Sequence, residues 1–347
     1  MEIRTSPAPQ CCVCGRAGLI VYEGLSDRAH FIPGSWRHLR CTECNLVWLD
    51  PQPIPEDLSL CYSDSYYTHV HGESDAVSLG RSPLMRMLRG SVLSGKYGYH
   101  QFRPAFPLSD MAGRLLAVIP GIESRATYSW NNALAPWRSG GSVLDIGCGS
   151  GRYLRTMHAL GWKVSGVEPD TRAANLARDR AGADVFIGVI GSVQLPPRSF
   201  DAVVSMHAIE HDSDPRRFLT RAAECLRPGG FLYIQTPNYN SLARRVFGRD
   251  WYAHDPPRHL TLFTPASLER LARQTGLLRS IQVRAISRRS RREAEHVYAL
   301  KQTGSFHGDL RPTIPSTLAI TLFSLVEKVG NSLLPIGEEL ELTAEAL

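Results

Sequence analysis

Four cysteines near the amino terminus have the spacing of ligands for one metal ion. Cys11 and Cys14 form one C-x2-C pair, and Cys41 and Cys44 form a second. Two such pairs can close four thiolates around Zn²⁺ in a tetrahedron, which leaves no coordination position for catalysis. Because metal binding can supply folding free energy that so short a segment lacks, the pattern predicts a structural zinc ribbon over residues 1–50. The alternative is four unrelated buried thiols.

A glycine-rich turn follows a short apolar segment in the middle of the chain. Residues 142–146 have the composition of a buried strand, and they continue directly into the sequence GCGSG and then into helical apolar spacing. A strand, a glycine turn and a helix start allow a ligand to contact bare backbone near the helix amino terminus. A second strand ends at Glu168, whose carboxylate can accept hydrogen bonds from both hydroxyls of a ribose. The turn therefore predicts a nucleotide-type site, with Asp145 near a cationic part of the ligand.

Strand and helix patterns keep alternating after this turn. Apolar strand segments at 200–206 and 231–237 flank a helical segment, and further strands are predicted near 279–286 and 338–344. Repeated strand–helix units indicate a parallel sheet with helices on both faces and with ligands at the carboxyl ends of the strands. The predicted fold class is therefore α/β, a Rossmann-like doubly wound sheet preceded by a small zinc-ribbon module.

Four ordered motifs resemble those of the class I S-adenosylmethionine-dependent methyltransferases. They are VLDIGCGSG (143–151), VEP (167–169), FDAVVSMHAIEH (200–211) and LRPGGFLYIQTPN (226–238). The resemblance implies S-adenosylmethionine as the methyl donor and a methyltransferase domain over residues 140–347. It also implies a set of residues that contact this cofactor: Asp145, Gly147, Gly149, Gly151, Glu168, Met206 and His207.

The order of the segments points to a particular group within these methyltransferases. A four-cysteine module, a helical connector over 51–139 and a methyltransferase domain together resemble bacterial methyltransferases of sugar and polysaccharide biosynthesis. The leading expectation is therefore methyl transfer to oxygen or carbon of a small molecule, a sugar or glycan precursor. The large carboxyl-terminal domain of the related deoxysugar C-methyltransferases has no counterpart in this sequence.

Four histidines are candidates for the base that would remove a proton from the acceptor. His207 and His211 follow the fourth strand, and with Glu210 they have the i, i+3, i+4 spacing of one helical face. His254 and His259 lie in a proline-rich loop after the fifth strand. Imidazole titrates near neutral pH, which suits this role. Cofactor packing, helix capping and hydrogen bonds within the loop are the alternatives.

The segment after the fourth strand also resembles the metal-using quinone O-methyltransferases, which carry two acids and a histidine at this spacing. In this sequence His207 occupies the place of the first acid. O-methylation of a phenolic or quinone-like acceptor is therefore the alternative function. A divalent ion bound by the segment after the fourth strand is one variant of this alternative. Methylation of ribosomal RNA, and a non-enzymatic role of the zinc module in binding RNA or protein, are the remaining alternatives.

Composition and charge favour a cytoplasmic protein with a small-molecule substrate. The 39 basic and 33 acidic residues give a net charge of +6, but the basic residues are almost all arginine, which does not indicate a nucleic-acid-binding face. Residues 1–10 have no apolar signal core, and the uncharged stretches are shorter than the roughly 20 residues that span a bilayer. An insertion at about 287–337 contains an arginine-rich run and an apolar segment, which predicts a packed helix. A substrate lid, a homodimer contact and a peripheral membrane contact are its alternatives.

Overall fold

The computed structural model describes residues 3–62, 82–119, 122–127, 134–306 and 313–347. The remaining parts of the predicted connector and of the predicted insertion lie outside the described residues. The strands are β1 (Thr5–Ser6), β2 (Gly18–Leu25), β3 (Trp36–Cys41), β4 (Val47–Asp50), β5 (Gln52–Pro53), β6 (Ser142–Ile146), β7 (Lys163–Glu168), β8 (Asp184–Ile187), β9 (Phe200–Met206), β10 (Leu226–Pro237), β11 (Thr261–Leu262), β12 (Leu278–Ile286) and β13 (Glu339–Ala346). The α-helices are α1 (Pro83–Tyr97), α2 (Ser109–Val118), α3 (Ile122–Thr127), α4 (Arg152–Ala159), α5 (Thr171–Ala181), α6 (Pro215–Cys225), α7 (Leu242–Phe247), α8 (Pro265–Gln274), α9 (Ser290–Thr303) and α10 (Ile314–Gly330).

The largest sheet has seven strands in the order β12-β13-β10-β9-β6-β7-β8. Strands β7, β8 and β9 join it through parallel pairings, with Val143 of β6 opposite Val164 of β7 and Ala202 of β9. Because helices cover both faces of such sheets, their strands are almost continuously apolar, and β9 is buried from Phe200 to Ser205. The chain order of the strands reverses between β6 and β9, as in doubly wound folds. The predicted α/β class is confirmed.

The chain divides into two compact units. Unit 1 comprises Met1–Tyr66, Met206–Arg221 and Ile234–Ala344, and unit 2 comprises Tyr67–Ser205, Ala222–Tyr233 and Glu345–Leu347. Unit 2 carries the glycine turn, and unit 1 carries the four cysteines and the four candidate histidines. The domain boundaries predicted near residues 50 and 139 stay predictions.

In unit 2, the local sequence explains where the helices begin and how closely they pack. The side chain of Asp170 accepts a hydrogen bond from the Ala173 N–H at 2.7 Å and caps α5, which ends at Gly182 in a left-handed conformation. Helices α1 and α2 approach each other closely at Gly113, where a Cβ atom would lie 1.7 Å from the Ser91 carbonyl oxygen.

In unit 1, the cysteine module shares a sheet with a distant part of the sequence. An antiparallel sheet has the order β11-β4-β3-β2, and Thr261 of β11 pairs with Trp48 of β4. The Leu49 N–H also donates to the Leu260 carbonyl oxygen at 3.0 Å. Leu25, Leu49 and Leu260 are buried in one apolar cluster. The loop that follows β10 is therefore built into the fold of the amino-terminal module.

The part of the predicted insertion that the structure describes contains two α-helices. Strands β12 and β13 occur where the sequence predicts them, and α9 and α10 lie between them in the chain. Among the described residues, no helix combines the length and the apolar character needed to cross a bilayer.

Candidate functional site

The glycine turn has a backbone that only glycine adopts readily. Gly147, Gly149 and Gly151 have φ angles of 78°, 52° and 79°. Gly151 also caps α4, and a Cβ atom there would lie 2.7 Å from the Cα of Ala177 in α5. Replacing any of the three glycines with another residue would strain the turn. At residue 151, a side chain would also push α4 and α5 apart.

Glu168 is fixed against this turn at the end of β7. Its Oε2 accepts a hydrogen bond from the Gly149 N–H at 2.8 Å, and its Oε1 accepts one from the Asp170 N–H at 3.0 Å. The side chain is buried within unit 2. A carboxylate has about four acceptor positions, so the same group can hold the turn and still accept from ligand hydroxyls.

Asp145 is the buried acid at the end of β6. It is 2% exposed. Burial, and then the negative charge of Glu168, raise its pKa to about 8. A cationic ligand group would favour the ionised carboxylate and lower this pKa. The turn and its two acids therefore suit a ligand that combines a ribose with a positive charge.

The four paired cysteines of unit 1 lie close enough together to bind one metal ion. The sulfur atoms of Cys11 and Cys44 are 3.5 Å apart, those of Cys14 and Cys41 are 3.2 Å apart, and all four lie within 4.8 Å of one another. A tetrahedral site with Zn–S bonds of ~2.3 Å has S–S edges of ~3.8 Å. The residues present therefore fit a zinc ion.

The same kind of backbone turn follows each of the two cysteine pairs. After the first pair, Gly15 has a φ of 73° and donates its N–H to the Cys11 carbonyl oxygen at 2.8 Å. After the second, Asn45 has a φ of 59° and donates to the Cys41 carbonyl oxygen at 3.2 Å. Glycine and asparagine are the residues that adopt this left-handed conformation most readily.

We expect purified protein to contain about one zinc per chain, measured by plasma mass spectrometry. Cys41→Ser should lose most of this zinc and lower the melting temperature, because bound zinc would contribute to the folding of the module. Cys12→Ser is the matched control, since Cys12 is exposed. Full zinc content in Cys41→Ser would contradict the assignment.

In unit 1, His207 lies between two buried carboxylates. Its Nδ1 is 3.2 Å from Glu210 Oε1, and its Nε2 is 3.0 Å from Glu339 Oε1. Thr236 donates to the other oxygen of Glu210, and Gln235 donates to the other oxygen of Glu339. Burial alone would lower the pKa of His207, but the two carboxylates outweigh it and raise the pKa to about 9. His207 is therefore an imidazolium at neutral pH.

His211 lies in a different electrostatic environment. Its Nδ1 is 3.0 Å from the Arg258 carbonyl oxygen and 3.0 Å from Tyr62 Oη. The ring of His259 meets it edge to face, with 4.7 Å between centroids. Burial, together with the charge of His259, lowers the pKa of His211 to about 4. Because a carbonyl oxygen can only accept, Nδ1 carries the proton of the neutral ring and Nε2 keeps its lone pair.

The other two candidate histidines make hydrogen bonds within the loop and the module. His254 is 2% exposed, and its ring nitrogens lie 3.2 Å from His38 Nδ1 and 2.9 Å from the Gly248 carbonyl oxygen. Burial lowers its pKa to about 4. His259 places Nδ1 2.8 Å from the Ala253 carbonyl oxygen, which orients its ring towards His211. The structure thus brings His211 and His259 together and uses both nitrogens of His254 internally.

Arg258 connects this cluster to the cysteine module. Its guanidinium is fully buried and donates two hydrogen bonds of 2.8 Å to Asp27, which lies between β2 and β3. It also donates to Asp255 at 3.0 Å. Burial alone would lower the pKa of Arg258, but the two carboxylates raise it above its ordinary value. The same residue therefore joins the module through its side chain and contacts His211 through its carbonyl oxygen.

Three of these contacts come from residues that the sequence analysis did not select. Asp27, Tyr62 and Glu339 are far from the motifs in the chain, and their partners are fixed only by tertiary structure. Glu339 had a weak sequence signal, since it lies in the alternating segment predicted at 338–344. Met206, selected as a cofactor residue, is the last residue of β9, and His207 follows it.

Comparison with known proteins identifies the class of enzyme. Residues 125–278 match the family model of a methyltransferase domain. A ubiquinone biosynthesis O-methyltransferase of Thiobacillus denitrificans is 31% identical over 160 residues, which cover 43% of this chain and 68% of the relative. One of Cupriavidus pinatubonensis is 32% identical over 183 residues, which cover 49% of this chain and 68% of the relative.

A solved structure gives a further comparison. The complex between the Haloferax volcanii Trm112 methyltransferase activator and a putative methyltransferase contains a similar chain, with a TM-score of 0.45 and 23% identity; the match covers 65% of this chain and 92% of that one. The family match and the sequence relatives carry the assignment. The chain belongs to the class I S-adenosylmethionine-dependent methyltransferases, and S-adenosylmethionine is its methyl donor.

Proposed function

We propose that the enzyme methylates an oxygen atom of a small phenolic or quinone-like molecule. The observation that carries this proposal is the similarity of its methyltransferase domain to O-methyltransferases of ubiquinone biosynthesis, at 31% and 32% identity. These relatives favour the phenolic alternative over the sugar or glycan acceptor that the order of segments suggested. The proposal therefore takes a phenolic hydroxyl as the acceptor and keeps a sugar hydroxyl as a comparison in the test.

The cofactor assignment rests on unit 2. We propose that Glu168 accepts hydrogen bonds from the ribose hydroxyls, and that the backbone of the glycine turn lies against the methionine part. Asp145 would balance the positive charge of the ligand, since a buried acid beside a cation becomes ionised. The cofactor contact predicted for Met206, a residue of unit 1, stays a prediction. When bound, S-adenosylmethionine supplies a methyl group already activated by the sulfonium, so the protein mainly aligns the acceptor and takes its proton.

Asp145 gives this assignment a pH dependence. Its pKa of about 8 in the free protein must fall when a cation binds, so binding should release a proton below pH 8. The affinity for S-adenosylmethionine should therefore rise from pH 6 to pH 8, and Asp145→Asn should flatten that rise. Calorimetry in two buffers of different ionisation enthalpy measures the protons released. An affinity independent of pH in the wild-type protein would contradict this role.

We propose His211 as the general base. Its neutral ring keeps a lone pair on Nε2, while the Arg258 carbonyl oxygen fixes the tautomer through Nδ1. A phenolic hydroxyl has an ordinary pKa near 10, so its proton leaves more easily than that of an unactivated alcohol. The carboxylates of Glu210 and Asp255 favour the imidazolium that forms, but burial and His259 outweigh them and hold the pKa of His211 at about 4. His207 is already protonated and provides fixed positive charge in place of a base.

The same cluster offers a second mechanism for this reaction. Glu210, His211 and His259 each present a ligand atom, and the three atoms lie within 4.8 Å of one another. Carboxylate and imidazole suit several divalent ions, and such an ion could lower the pKa of a phenolic hydroxyl. A rate that falls after chelation and returns when a divalent ion is added would favour this mechanism.

An acceptor panel tests the proposed function. Labelled S-adenosylmethionine is incubated with the enzyme and dihydroxyphenols, nucleotide sugars or ribosomal RNA, and product label is counted. We expect label in the phenols. His211→Asn should lower kcat by about 100-fold to 10,000-fold, the usual contribution of a general base, with little change in S-adenosylhomocysteine affinity. His158→Asn, an exposed histidine of α4, is the control. Label in sugars or RNA but not in phenols would contradict the proposal.

A further inference from the structure

Helix α10 has apolar residues on both sides. Towards the protein it buries Ile320, and Phe323 packs against the Phe247 ring with 5.0 Å between centroids. Away from the protein it exposes a run of large apolar side chains, which we call the α10 stripe. The stripe consists of Leu318 (67% exposed), Leu322 (61%), Leu325 (57%), Val326 (50%) and Val329 (58%), continued after the helix by Leu333 (83%) and Leu334 (59%). A helix that is apolar all round is normally covered on both sides.

The spacing of the stripe is that of a helix–helix seam. Leu318, Leu322, Leu325 and Val329 follow one another at intervals of four, three and four residues. These intervals keep the four side chains within an arc of roughly 60° on the helix surface. Alternating intervals of three and four are typical of residues that pack into the spaces of a second apolar helix. The stripe therefore fits another helix of the same character.

The charge of α10 argues against a membrane surface as the occupant. Helices that lie in a membrane interface carry lysine and arginine on the face opposite the apolar one. The charged residues of α10 are Glu327, which is buried, and Lys328. The face opposite the stripe is packed into unit 1, so it cannot supply the basic side that anionic lipid would attract.

We propose that the α10 stripe is the interface of a homodimer in which α10 packs antiparallel against α10 of a second copy. A two-fold axis near residues 323–324 would place Leu322 opposite Leu325 of the second copy, and Leu318 opposite Val329. The same stripe then serves both subunits, as a two-fold interface requires.

Area and charge are both compatible with this arrangement. The seven exposed side chains contribute roughly 100 Å² each, which is close to the roughly 800 Å² per partner of a standard interface. Antiparallel packing sets each Lys328 opposite Ala319 of the second copy. At ~1.5 Å per residue the two lysines are then separated by about 13 Å along the helices, beyond the Debye length of ~8 Å at physiological salt.

Sedimentation equilibrium of the 347-residue protein tests the proposal. The wild-type enzyme should be a dimer at micromolar concentration. Leu322→Glu and Leu325→Lys should each raise the dissociation constant by about 100-fold or more, because each places an unpaired charge in an apolar seam. Leu115→Glu, at a leucine of α2 that is 65% exposed, is the matched control and should leave the dimer intact. Thermal unfolding checks that each variant is folded.

A double variant tests the orientation of the helices. In Leu322→Glu/Leu325→Lys, antiparallel packing would place each glutamate opposite a lysine of the second copy and should restore much of the association lost in the single variants. Parallel packing would place like charges opposite each other and would not. A wild-type protein that sediments as a monomer would overturn the proposal, including the case in which it binds anionic lipid vesicles through the stripe.

Discussion

Replacing Glu168 with alanine should weaken S-adenosylhomocysteine binding by about 100-fold or more in calorimetry. The reason is twofold. The variant loses the acceptor for two ribose hydroxyls, and hydrogen bonds to a charged group contribute about 1.5–3 kcal/mol each. It also loses the hydrogen bonds that hold Gly149 and Asp170. Few single substitutions in unit 2 should reduce the affinity for the cofactor more than this one.

Two further variants separate the ribose contact from general damage. Glu168→Gln keeps the shape and one acceptor oxygen, so its affinity should fall between those of the wild type and Glu168→Ala. Asp179→Ala removes an exposed carboxylate of α5 in the same unit and should bind normally. If folded Glu168→Ala bound S-adenosylhomocysteine as tightly as the wild type, the ribose assignment would be wrong.

Replacing Asp27 with alanine should destabilise the protein by about 3–5 kcal/mol in urea unfolding, because the fully buried Arg258 would keep its charge and lose one of its two acidic partners. Asp27 also accepts hydrogen bonds from the N–H groups of Ala29 and His30, which form the turn after β2. Methyl transfer should fall as well, since the Arg258 carbonyl oxygen holds His211.

A double change distinguishes the buried charge from simple loss of packing. Asp27→Leu/Arg258→Met replaces both charged groups with apolar ones, and it should be less destabilising than Asp27→Ala. Asp250→Ala is the control, because Asp250 and Arg28 form a half-exposed pair that should contribute less than about 1 kcal/mol. Equal stability of Asp27→Ala and wild type would show that the module and the histidine loop are not coupled through Arg258.

Local patterns in the sequence predicted the fold and the cofactor turn because they are properties of short segments. The buried strand, the three glycines and the acid at the end of the next strand are close together in the chain. The two cysteine pairs could be combined because a structural zinc site needs four ligands and each pair supplies two thiolates. Each of these predictions needed a spacing and a chemical rule, without any knowledge of tertiary contacts.

The arrangement around the candidate base could not be predicted in this way. Strand β11 pairs with β4, which lies more than two hundred residues earlier in the sequence. A strand of only two residues has no sequence pattern that would indicate its partner strand. The sequence alone provides no reason to prefer one of the four candidate bases, His207, His211, His254 and His259, over the others. The different charges of His207 and His211 come from Glu210 and Glu339 beside His207 and from burial and His259 around His211, an arrangement that only the tertiary fold creates.

We expect this methyltransferase to deliver its methyl group to a phenolic oxygen. Nuclear magnetic resonance of the product formed from S-adenosylmethionine with a ¹³C-labelled methyl group tests it directly, because the carbon shift identifies the atom that received the methyl. With a dihydroxyphenol as acceptor, we predict an aromatic methoxy signal that depends on enzyme and is strongly reduced in His211→Asn. A methyl signal on carbon or nitrogen, or transfer to a nucleotide sugar alone, would contradict the account.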